Sequence, residues 1–176
     1  DKSGSMTQAI ELAKEMAALV SAVCDNFRVL AFDSETFEVK ARGVERSAWE
    51  EAFRMVKADG STSIGAPLAK LTRERHYVEQ LVIITDMGEN APPLFGNAFA
   101  EYTRALENTP NVTIVAVGGQ NQRFLQGLRQ QGVPLTVWEF GGDYYSLPNL
   151  LPLLALPSRA ELVEQVMATP LPQRAA

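Results

Sequence analysis

The stretch Leu81-Val82-Ile83-Ile84-Thr85-Asp86 is an unbroken run of apolar and β-branched residues that ends on a carboxylate. A half-exposed strand would alternate apolar with polar residues. A continuous run bounded by a polar residue instead describes a parallel strand covered on both faces. A second run, Val112-Thr113-Ile114-Val115-Ala116-Val117, and a third strand at Leu135 to Phe140 follow it. Helical periodicity fills the intervals, over Gly96 to Glu107 and Asn121 to Gln131. Strands alternating with helices give an α/β fold: a doubly wound, Rossmann-like, mostly parallel sheet with right-handed crossovers and helices on both faces.

Toward the N-terminus, Ile10, Leu12, Ala13, Met16, Ala17, Leu19, Val20 and Val23 recur at helical spacing. They define a long first helix from Met6 to about Cys24, with Ser5 or Thr7 able to cap it. Asp25-Asn26 breaks that pattern, and Phe27 to Phe32 reads as a buried strand. The turn Asp33-Ser34-Glu35 leads into the alternating segment Thr36 to Lys40, so the pair is an antiparallel hairpin with an edge strand. Ser47 and Glu50 have the spacing of a capping box for a helix burying Trp49, Phe53 and Val56 and ending at Asp59-Gly60. Residues Ile64 to Tyr77 are helical, with Pro67 in the first turn. Near the C-terminus, leucines alternate with prolines over 147–157, an irregular connection whose leucines pack on the domain or form a partner patch. Ser158 to Ala168 is a last helix.

These 176 residues, 46% hydrophobic and 21% charged, suit one globular domain spanning 1–176 and exclude a disordered polymer. No run approaches the roughly 18 apolar residues of a membrane span, so no membrane partner is expected. Cys24 is the single cysteine and has no internal disulfide partner. With a polar Asp1-Lys2-Ser3-Gly4-Ser5 where a leader would turn apolar, the expected compartment is the cytoplasm. The net charge of -5 argues against a nucleic-acid footprint over the whole domain.

Ligands of an open α/β sheet bind beyond the carboxyl ends of the strands. Three segments expected there carry oxygen ligands: Asp1-x-Ser3-x-Ser5 before a helix, Gly60-Ser61-Thr62-Ser63 before another, and Asp86 after its strand. Two carboxylates and three hydroxyls suit a hard divalent cation, which prefers oxygen and retains several waters.

In order and spacing, Asp1-Lys2-Ser3-Gly4-Ser5-Met6, Thr62 and Asp86 resemble the metal-ion-dependent adhesion site (MIDAS) of the von Willebrand factor type A (vWA) domain family. The resemblance extends over nearly the whole chain. It implies Mg2+, or another divalent cation such as Mn2+ or Ca2+, contacted by the hydroxyls of Ser3, Ser5 and Thr62. Asp1 and Asp86 would act directly or through ordered waters. It further implies a protein partner presenting Asp or Glu to the metal. Two departures accompany it. Family members often have Gly directly after the last Asp, where Met87 precedes Gly88 here. The family's counterpart of Asp1 also follows a central apolar strand, absent from this chain. The expectation is therefore a part of a larger protein, with the remaining domains of its parent chain as partners, or a strand supplied by another segment.

Other readings are blander or belong to other classes. Glu89 and Asn90, just past Asp86, suit a solvated loop or reach the rim of the site, His76 suits a solvated helix end without a catalytic partner, and Cys24 a small core residue. Trp49 and Trp138 suit packing rather than base stacking. Lys70, Arg73 and Arg75, followed by His76, form a basic patch that is a solvated face or a place for a minor anionic partner. Some family members resemble the Ro RNA-binding proteins, whose type A domain adjoins a helical-repeat RNA-binding module; RNA would then be only an indirect partner. A metal-dependent phosphatase or hydrolase using Asp1 as nucleophile is the enzymatic alternative. Such chemistry wants a second carboxylate two residues later, where Ser3 stands. The expected class is a binding domain, not an enzyme.

Overall fold

The computed structural model describes residues 1–24, 26–154 and 167–168. In chain order the elements are α1 (Thr7–Val23), β1 (Val29–Phe32), β2 (Thr36–Val39), α2 (Arg46–Ala52), α3 (Ala66–Arg73), β3 (Gln80–Thr85), α4 (Phe95–Leu106), β4 (Asn111–Val117), α5 (Gln122–Gln130) and β5 (Leu135–Phe140). A 3-10 helix (Tyr144–Leu150) and one turn of α6 (Leu151–Leu154) follow.

Strands β3, β4 and β5 form a parallel sheet in that order, in a register that aligns Ile83 with Ile114 and Ile114 with Val137. β1 and β2 form a separate antiparallel hairpin. This is the expected mixed α/β architecture, with its sheet in two parts. The apolar run of β4 hides a two-residue alternation. Val112, Ile114 and Ala116 join the cluster made with Leu68, Phe99, Tyr102 and Leu125, whereas Val115 packs with Leu12, Met16, Leu147 and Leu150 on the opposite side. Helices thus cover both faces, which is why the run is continuous. Phe32 of β1 shares the first cluster with Ile83 of β3, so a single apolar layer continues beneath both sheets. A third cluster joins Ile10 and Ala17 of α1, Ala31 and Val39 of the hairpin, and Trp49, Phe53 and Val56.

Among the described residues β3 pairs with β4 alone, and β1 with β2 alone. The effect on burial is direct. β4, with two neighbours, is buried from Val112 to Ala116, whereas Val82 of β3 is 37% exposed and Leu81 and Ile84 are half-buried.

Several element ends differ from expectation. Neither Ser5 nor Thr7 caps α1; Met6 holds the cap position, and the Ser5 hydroxyl is directed to Asp86. The Ser47–Glu50 capping box does not form, because α2 already begins at Arg46 and Glu50 pairs with that arginine at 3.0 Å. α2 ends at Ala52 rather than Asp59, although turns through Phe53 still bury Trp49, Phe53 and Val56. α3 stops at Arg73, well short of Tyr77. Arg75 adopts a left-handed φ of 51°, while Arg75 N–H donates to Thr72 O and His76 N–H to Leu71 O. That is a Schellman closure with arginine where glycine is usual. Cys24 is a half-buried residue at the end of α1 rather than a core residue, and Val23 is exposed.

Leu147 and Leu150 are buried, and the segment expected to be an irregular connection is a 3-10 helix and one α-turn as far as Leu154, with 155–157 outside the described residues. The last expected helix lies outside the described residues except for Met167 and Ala168, and so does the break at Asp25. Among the described residues, no helix is long and apolar enough to cross a membrane.

Candidate metal centre

The turn after Asp1 is fixed by its own polar groups. Asp1 Oδ1 accepts from Ser3 N–H at 2.9 Å, and Ser3 O accepts from Met6 N–H at 2.9 Å, which starts α1. Lys2 ties the turn to the hairpin. Its N–H donates to Phe32 O at 2.7 Å, and its ammonium pairs with Asp33. The loop bearing Thr62 reaches the same place, because Lys2 O accepts from Asp59 N–H at 2.8 Å and Asp33 O from Ser63 N–H at 2.8 Å.

Asp86 closes the arrangement from the end of β3. The Ser5 hydroxyl donates to Asp86 Oδ2 at 2.5 Å, and Gly88 N–H donates to Asp86 Oδ1 at 2.9 Å. The preceding residue makes a second link: Thr85 Oγ1 donates to Asp1 Oδ2 at 2.6 Å and accepts from Met87 N–H at 3.0 Å. Asp1, Ser3, Ser5 and Asp86 are thereby brought together, and Thr62 is held beside them by its backbone.

The donor set can be tested against a cation. Ser3 and Thr62 are buried, and among the described residues Ser3 Oγ has no hydrogen-bond partner. A buried hydroxyl without a partner is costly, and a cation ligated by its lone pair would satisfy it. The described residues hold no cluster of three or more His, Cys, Asp or Glu. Two carboxylates among hydroxyls suit a hard, oxygen-seeking ion. The residues present fit a Mg2+-type ion.

Glu89 and Asn90, expected in a solvated loop, instead bind the Thr62 segment. Asn90 Oδ1 accepts from Thr62 N–H at 2.8 Å, and Thr62 O accepts from the N–H groups of Asn90 and Ala91, each at 2.9 Å. Glu89 Oε1 accepts from Ile64 N–H at 3.1 Å and Phe95 N–H at 2.8 Å. Its burial raises the carboxyl above its ordinary value, against the opposing pull of the N–H groups of Phe95, Ile64 and Gly65. Thr85 is the residue that sequence reasoning missed, and the bonding of Glu89 and Asn90 to the Thr62 segment was not foreseen. One signal was available: the cap positions ahead of α3 and α4 are Gly65 and Leu94, neither of which can supply a side-chain cap.

The remaining candidates lie elsewhere. His76 is half-buried beyond the end of α3, with its carbonyl accepting from Tyr102 OH at 3.0 Å. Trp49 is buried and Trp138 packs beside Phe140. The basic patch is weaker than its sequence suggests, because Lys70 pairs with Glu74 at 2.6 Å.

No protein-family model and no curated protein matches the chain. Solved structures do match. A von Willebrand factor type A protein from Catenulispora acidiphila aligns at a TM-score of 0.64 and 20% identity, covering 88% of this chain and 40% of its own. The conserved hypothetical protein BatB from Bacteroides thetaiotaomicron aligns at 0.55 and 14% identity, covering 90% and 89% respectively. Proximal thread matrix protein 1 of the mussel byssus aligns at 0.57 and 16% identity, covering 88% and 45%. The chain therefore has a vWA-like fold and spans less than half the length of the first and third of these structures.

Proposed function

We propose that Asp1, Ser3, Ser5, Thr62 and Asp86 hold a divalent cation of the Mg2+ type, and that the domain uses it to capture a carboxylate of a protein partner. The observation that carries this reading is the buried, unpartnered Ser3 Oγ, one residue from Gly4 and two from Ser5, whose hydroxyl touches Asp86. Once bound, the ion supplies a positive centre that accepts one more oxygen ligand. The chain's own residues do the rest. Asp1 and Asp86 offset the ion's charge, and Thr85 and Gly88 orient them. Ser5 and Asp86 are not fully buried, which leaves the approach to the site open to a partner.

A binding role, rather than hydrolysis, is favoured by the position two residues after Asp1. An acid/base catalyst would stand there, and that place holds a buried serine hydroxyl. The vWA-like fold points the same way through the resemblance of the site to an adhesion site. The remaining domains of a parent chain and a cytoplasmic setting belong to the same proposal, with RNA an indirect partner at most.

Titration with Mn2+, followed by the electron spin resonance of the free ion, tests the first half. The full chain should bind one Mn2+ that EDTA removes, and Asp86→Ala and Ser3→Ala should each lower affinity at least tenfold while the far-UV circular dichroism is kept. Binding unchanged in both variants would sink the site. Added acetate should displace one Mn2+-bound water in proton relaxation; no displacement at saturating acetate would sink the carboxylate half.

A further inference from the structure

We infer that the loop joining β3 to α4 is a clamp that sets Thr62 against Asp86, with Glu89 and Asn90 as its positioning residues. The inference rests on the metal reading above and extends it to residues that need not touch the ion. The loop leaves Asp86 and within four residues closes on Thr62. Asn90 grips both sides of that residue, its side chain accepting from Thr62 N–H and its own N–H, with that of Ala91, donating to Thr62 O. Thr62 therefore has no freedom to turn about its backbone unless Asn90 moves too.

Glu89 performs a second fastening. α3 and α4 both lack a side-chain cap of their own. One oxygen of Glu89 accepts from Ile64, just ahead of α3, and from Phe95, the first residue of α4. Helix starts carry unsatisfied N–H groups and partial positive charge, so one carboxylate holds both together. A third contact closes the gap: Ser63 Oγ donates to Pro93 O at 2.8 Å. Gly65 permits the approach, since a Cβ there would lie 2.5 Å from Pro93 O and 2.9 Å from Leu94 O. The spacing of the Thr62 hydroxyl and the Asp86 carboxylate is thus determined by Glu89 and Asn90. Residues that orient first ligands typically change metal affinity by about 10–100-fold when removed.

The test compares two pairs of variants of the full chain, Asn90→Ala with Asn90→Asp and Glu89→Ala with Glu89→Gln. Mn2+ affinity is read by spin resonance, metal-bound water by proton relaxation, and thermal unfolding without metal. Each alanine variant should bind Mn2+ about tenfold more weakly and carry one more bound water as the Thr62 hydroxyl is lost. Asn90→Asp and Glu89→Gln keep an acceptor oxygen in place and should stay within about threefold of wild type. Alanine variants that bind Mn2+ with wild-type affinity and hydration, even with a lowered melting temperature, would overturn the clamp. Should one alanine variant fail to fold, the other decides by the same criterion. A wild-type chain that binds no Mn2+ removes the metal reading and the clamp together, an outcome distinct from failure of the clamp alone.

Discussion

Met87 combines two opposed terms at one position. Its φ of 60° lies in the left-handed region, which costs a residue with a Cβ about 1–2 kcal/mol. Its side chain is nevertheless wholly buried in the cluster with Leu68, Phe95 and Ile114. Its carbonyl also accepts from Asn121 Nδ2 at 3.1 Å. Burial therefore retains methionine where the backbone alone would select glycine. Met87→Ala should destabilise by about 2–5 kcal/mol, as for other buried truncations. Met87→Gly, though smaller still, should cost about 1 kcal/mol less than the alanine variant, because it releases the left-handed strain. Urea midpoints in the reverse order would show that no strain resides there. At this scale the sequence was partly legible. The meeting of Asp1, Ser3, Ser5 and Asp86 could be read, because oxygen-bearing residues at the carboxyl ends of strands show themselves by type and spacing. Thr85 and Asn90 could not, since each serves a group distant in sequence and such pairings have no period.

At the scale of elements, the strands were more legible than the helix ends. β3, β4 and β5 begin within one residue of their apolar runs, because burial on both faces is written directly in composition. Helix ends depend on which donor finds which acceptor. α1 and α2 ignore the hydroxyls offered to them, and α3 ends where Arg75 turns left-handed. Charge pairing between elements was equally hidden. Arg28, just before β1, forks onto Glu38 of β2 at 3.0 and 3.2 Å and reaches Glu74 at the end of α3 at 2.7 Å. Hydrogen bonds from Lys70 and then Arg28 lower Glu74 from 4.5 to about 2, and Arg28 also holds Glu38 below its ordinary value. Both carboxyls are depressed in the folded chain, so the unfolded chain binds more protons at acid pH. Their contribution is complete above about pH 4.5 and disappears as pH falls toward 2. Arg28→Met should flatten the loss of stability in that window, measured as urea midpoints from pH 7 to 2. An acid limb as steep as wild type would show that the network contributes nothing.

Over the whole molecule, the two sheets share a core layer but no ladder among the described residues. Hydrogen bonds at the candidate site supply part of what joins them. Lys2 is bonded to Phe32 at the end of β1, while Ser5 and Asp1 are bonded to Asp86 and Thr85 at the end of β3. Amide exchange should therefore be slowest in β4, which has partners on both sides, and faster in the hairpin. Saturating Mn2+ should slow the hairpin toward the rate of β4; slowing confined to the site's own loops would count against this coupling. The seam has a mechanical meaning. On the proposed reading, an ion held by Ser3 on one side and Asp86 on the other would act as a rivet between half-sheets, so that pulling on a captured partner would load the joint that keeps the fold whole. By linkage, a grip strengthened by the partner is also a domain harder to tear open.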